Sequence, residues 1–105
     1  MGFFTSTTKT VDLGDGNSVT LRKVTFAQYA EAQSAATHIV GEALQLDWPR
    51  LGAEVLKRSV AEWTGPGFEG LPPTAENIGN LPWEVGNKLA EAAMELATAG
   101  PEAGN

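Results

Sequence analysis

The sequence predicts an α+β fold, mainly α, in which an N-terminal β-hairpin packs on three to four helices. Three observations predict it. Two short segments near the start alternate apolar and polar residues on either side of Gly14-Asp15-Gly16-Asn17. Longer segments then carry apolar residues at the helical spacing of three and four. Glycine and proline cluster between those segments, at Gly65-Pro66-Gly67 and at Gly100-Pro101, where helices must stop.

Residues 1–8 read as a flexible arm, Ser- and Thr-rich after Phe3 and Phe4. Exposed, these two phenylalanines would be sticky, so they dock either on the body or on a partner. The hairpin spans 9–24. Val11 and Leu13 alternate with Thr10 and Asp12, and Val19 and Leu21 with Thr20 and Arg22, which gives the pair one apolar face. Asp-Gly and Gly-Asn supply the positive φ of a tight turn. A lone hairpin is marginal in water, so the helices that follow must cover it.

The first helix is expected over about 26–44. Thr25-Phe26-Ala27-Gln28 has the capping-box pattern, and Val24 is placed to staple onto Tyr29. Phe26, Ala30, Gln33, Thr37, Val40 and Leu44 fall on one helical face, and Gly41 weakens the last turn. The second helix is expected over 48–64, capped by Asp47 with Pro49 in its first turn. Its stripe is Trp48, Leu51, Val55, Leu56, Ser59, Val60 and Trp63. A loop follows, then a short helix at 75–79 capped by Thr74. The last helix spans 82–98 with Val85, Leu89, Ala93 and Leu96 inward. Residues 100–105 form a tail. The globular part, 9–99, is a single domain.

Composition narrows the function. The 105 residues carry a net charge of −6 and only seven Lys and Arg, in pairs no longer than Arg22-Lys23 and Lys57-Arg58. That balance speaks against a nucleic-acid partner, which needs clustered cations. No stretch approaches the ~20 apolar residues of a membrane span, and the start lacks the pattern of a signal peptide. With no cysteine, thiolate chemistry is excluded. His38 is the only histidine and has no nucleophile or orienting partner near it in sequence, so no catalytic residue, metal ligand or cofactor site is assigned. Glu91 and Glu95 lie four apart on a helix and read as a solvated face, not an acid–base pair. The expectation is a protein that is not an enzyme and works by binding other proteins. Ala-rich helices leave self-association open.

The aromatic residues are the candidate anchors. Trp63 and Trp83 are expected in the core. Trp48, after the polar Gln45-Leu46-Asp47 break, is the candidate for a partly exposed anchor, since interface tryptophans often carry binding energy. Phe68, inside the Gly-Pro loop, either plugs the core or is presented to a partner. The candidate protein-binding residues are therefore Trp48, Phe68, Phe3 and Phe4.

The stretches VTLRKVTFAQYAEAQ (Val19 to Gln33) and RSVAEWTGPGFEGLPPTAENIGNLPWEVGNKLAEAAMEL (Arg58 to Leu96) resemble the small tail assembly chaperones of long-tailed bacteriophages and prophages. The shared pattern is a hairpin, an Arg-led junction into a helix, a Trp-Gly element and a closing helix after Leu-Pro. It covers about Val11 to Ala97. The resemblance implies a protein of the bacterial host cytoplasm that binds the helical tape-measure protein, keeps it soluble, recruits tail-tube subunits and is absent from the finished tail. Such proteins are often made in a short and a frameshifted long form, and this chain would be like the short one. The competing expectation is a structural tail component, such as a tube-end, connector or baseplate subunit, retained in the particle.

Overall fold

A computed structural model describes Phe4 and residues 7–99. The fold is α+β, and the N-terminal hairpin packs against helices as the sequence predicts. Strands β1 (Thr8–Gly14) and β2 (Asn17–Arg22) pair antiparallel, with Val11 opposite Val19. Asp15 and Gly16 at the turn take φ of 54° and 81°. Positive φ at both central residues is the I′ arrangement, whose twist matches that of the flanking strands.

Helix α1 (Phe26–Ala36) starts with the expected capping box. The Gln28 N–H donates to Thr25 Oγ1 at 3.1 Å, and the Thr25 N–H donates to Gln28 Oε1 at 2.9 Å. The helix is shorter than the expected 26–44. It ends at Ala36, and Thr37–Val40 (β3) and Ala43–Leu46 (β4) form a second antiparallel hairpin. Thr37, Ile39 and Val40 are β-branched and favour extended backbone. Gly41, at φ 65°, is the first central residue of the turn, where a Gly-led hairpin turn needs it. The Asp47 N–H donates to the Ala36 carbonyl at 2.8 Å and closes the hairpin at its base. The stripe assigned to this helix is also revised. Ala32 and Ala36 are its buried residues, Tyr29 is partly buried, and Phe26 faces solvent.

Helix α2 (Trp48–Ser59) begins at Asp47, whose carboxylate accepts from the Arg50 N–H at 3.1 Å. It buries Leu51, Val55, Leu56 and Ser59, all on the expected stripe. It does not reach residue 64. Val60–Thr64 is strand β5, antiparallel to β2, so the sheet order is β1-β2-β5. Pairing with a strand some forty positions earlier overrides the local helical spacing. The buried Ser59 hydroxyl marks the change of backbone by donating to the Arg22 carbonyl at 2.7 Å. Val11, Val19 and Leu21 point into the core from one sheet face, where Trp63 and Val60 pack at the edge. Thr10, Thr20, Ser18 and Thr64 lie on the other face, linked in part by hydroxyl contacts.

A short 3-10 turn (Pro66–Phe68) leads through the loop to α3 (Ala75–Gly79) and α4 (Trp83–Thr98). The Asn77 N–H donates to Thr74 Oγ1, so the expected cap is formed. Leu89, Ala93 and Leu96 of α4 are buried. One core cluster joins β1, β2 and all four helices with Phe68. The predicted arm at 1–8 and tail at 100–105 fall outside the described residues, apart from Phe4, Thr7 and Thr8, and Thr8 already belongs to β1.

Candidate protein-binding surface

Helices α2 and α4 run antiparallel, because the start of α2 faces the end of α4 and the end of α2 faces its start. Small residues set their approach. A Cβ added to Gly52 would sit 3.6 Å from the Ala90 Cβ, so the two backbones come close there. With Ala53 and Gly86 alongside, the seam between the helices has a low floor. Two depressions lie along it, of about 520 and 310 Å³. They share Pro49, Asn87 and Ala90 and so form one groove.

A tryptophan stands at each end. Trp48 is the first residue of α2 and is 67% exposed. Trp83 is the first residue of α4 and is 75% exposed. The exposure of Trp48 agrees with the sequence expectation. Trp83 does not join the core as expected. Pro82 and the first turn of α4 turn its ring outward while Val85 and Leu89 take the inward positions. The signal was in the helical spacing: Trp83 is out of step with Val85, Leu89, Ala93 and Leu96.

The remaining anchor candidates separate. Phe68 is 8% exposed and belongs to the core. Its ring stacks on Trp63, with centroids 4.4 Å apart and planes 8° apart. Trp63 Nε1 donates to the Leu71 carbonyl at 2.6 Å, and the Gly67 N–H donates to Asn17 Oδ1 at 2.7 Å. These bonds fold the loop over the ring, so of the two readings of Phe68 the core plug is correct and presentation to a partner is not. Phe4 is fully exposed. Phe3 lies outside the described residues.

A second apolar feature was missed in sequence because it was read as helix. Ile39 and Leu44 face each other across the β3–β4 hairpin and are 71% and 73% exposed. Both sit on the same face as Leu46, which packs on the core, so an apolar stripe runs from the body out along the hairpin. His38 is an exposed residue of β3 opposite Gln45, not a helical residue.

Charge around the groove is uneven. Glu91 and Glu95 line the Trp48 end. Lys57 lines the other end, where its ammonium is 3.2 Å from Glu54. Glu54 also accepts from Arg58 at 2.9 Å. The Arg58 bond holds the Glu54 carboxyl below the usual range against an opposing push from burial, with Lys57 adding to the effect. Among the described residues no cluster of three or more His, Asp or Glu is placed to hold a metal ion, and no helix is long and apolar enough to cross a membrane.

No protein-family model, curated protein or solved structure matches this chain.

Proposed function

We propose that this protein is a tail assembly chaperone of a long-tailed bacteriophage, acting in the host cytoplasm by binding the tape-measure protein and tail-tube subunits. The observation that carries the reading is the groove between α2 and α4, open along its length and flanked by two exposed tryptophans. A tape-measure protein presents long amphipathic helices, and such helices dock in apolar grooves. The resemblance at Val19 to Gln33 and Arg58 to Leu96 supports the same reading. Co-expression with the cognate tape-measure protein is expected to raise that protein's soluble yield and to recover both in one complex. Unchanged yield with no co-purification would overturn the proposal.

The exposed Ile39–Leu44 pair favours a second reading, a structural tail component that orders this hairpin against neighbours in the particle. Mass spectrometry of purified particles separates the two. Stoichiometric copies support the structural role, and absence supports the chaperone.

A further inference from the structure

We infer that the α2–α4 groove takes one amphipathic helix whose Lys or Arg residues sit at the Trp48 end, between that indole and the carboxylates of Glu91 and Glu95. This deepens the chaperone reading by naming the chemistry of the segment bound. It rests on that reading only in so far as the protein binds a protein helix.

The occupant follows from charge and shape together. Trp48, Glu91 and Glu95 line the same depression. An exposed indole face attracts cations, Arg and Lys above all, and two carboxylates beside it select the same group. Glu91 makes no ion pair among the described residues, and Glu95 has only a long contact with Lys9, at 4.0 Å. Their charge is therefore available to a partner. At the far end the only lining cation, Lys57, is already paired with Glu54, which it shares with Arg58. That end offers exposed Trp83 and half-buried Leu81 to apolar side chains instead, over a floor that Ile78 closes from the core. The groove is thus polar-selective at one end and apolar at the other, which fixes the direction as well as the sign of its occupant.

Size agrees with a helix. The stretch of α4 from Trp83 to Glu95 rises about 18 Å, or about 12 residues of a parallel or antiparallel partner. The small residues Gly52, Ala53, Gly86 and Ala90 leave the floor low enough for a third helix to seat its apolar stripe. Gly86 is not there to relieve crowding. A Cβ at that position would meet nothing within 4 Å, and its φ is ordinary for a helix.

The test uses the full chain and two synthetic amphipathic peptides of about 18 residues with the same Leu stripe. One has Lys on its polar flanks and the other has Glu. Binding is read by tryptophan fluorescence and by anisotropy of a labelled peptide. The Lys peptide is expected to bind at least about tenfold more tightly than the Glu peptide, and to weaken as salt rises from ~50 to ~300 mM. Replacing both Glu91 and Glu95 by Gln should erase the preference and the salt dependence. Gly86→Gln adds a good helix former and a long side chain over the floor. It should melt no lower than the parent yet lose peptide binding. Equal binding of both peptides, or unchanged binding by Gly86→Gln, would overturn the inference. So would a parent dimer that Gly86→Gln dissociates, since a second copy would then be the occupant. If Gly86→Gln still solubilises the tape-measure protein on co-expression, the groove assignment fails and the chaperone reading stands.

Discussion

The indole of Trp63 lies flat on the ring of Phe68, and this pair ties strand β5 to the loop that follows it. The stack also places Trp63 Nε1 within 2.6 Å of the Leu71 carbonyl. Trp63 is only partly buried, so its loss costs less than that of a fully enclosed tryptophan. Trp63→Ala is expected to destabilise by about 2–3 kcal/mol and Phe68→Ala by about 3–4 kcal/mol. The double variant should lose about 1 kcal/mol less than the sum, because each single change already removes the shared stack. Urea unfolding of the four proteins measures this, and strictly additive losses would refute the coupling.

Two glycines should respond in opposite directions. Gly65 has φ of 128°, and a Cβ there would strike Asn17 and the Gly16 carbonyl. Gly65→Ala is expected to cost more than about 1 kcal/mol. Gly86 lies inside a helix with open space around it, so Gly86→Ala should stabilise by up to about 1 kcal/mol. Thermal melts that fail to move apart in these directions would contradict the backbone described above.

The helix caps make a third prediction. Thr25→Ala and Asp47→Ala each remove an oxygen that accepts from a helix N–H, and each should cost about 1 kcal/mol. Asp47→Asn keeps an acceptor in place and should stay close to the parent. A loss with Asn as large as with Ala would mean that charge, not capping, is the contribution of Asp47.

Acid sensitivity should pass through Glu54. Its carboxyl is held below its ordinary value, first by the Arg58 hydrogen bond. A lowered folded value means that the unfolded chain binds the proton more readily. The contribution is therefore complete at neutral pH and is lost as pH falls below about 4.3, the ordinary glutamate value, through the lower folded one. Glu54→Gln should be less stable than the parent at pH 7 and should converge with it in acid. A constant gap between the two curves would assign the difference to packing.

Much of this was legible in local sequence. The Asp15-Gly16 turn, the Thr25–Gln28 box, and the inward stripes at Leu51, Val55 and Leu56 and at Leu89, Ala93 and Leu96 are all contacts within a few residues, and each appears as expected. The failures share a different cause. Val60–Thr64 is extended only because β2 offers it an edge, and nothing within the segment announces that partner. Thr37–Leu44 has the alanine-rich approach and the spacing of a helix, although three β-branched residues followed by Gly41-Glu42 carry the hairpin signal. At the candidate site, Trp48 was legible from its place after a polar break. The groove itself was not, because the nearness of Gly52 to Ala90 depends on how two helices cross.

The placement of β2 between its two neighbours has a consequence for how the chain comes off the ribosome. Its first neighbour arrives with the local hairpin, but its second is made only after both α1 and α2. Until Thr64 has emerged, Val19 and Leu21 belong to a half-finished ribbon with one bare edge, the state most open to mispairing. Nascent fragments cut short within α2 should therefore clump more than those carried past β5, in which the sheet is complete and only the α3–α4 side of the core is still missing.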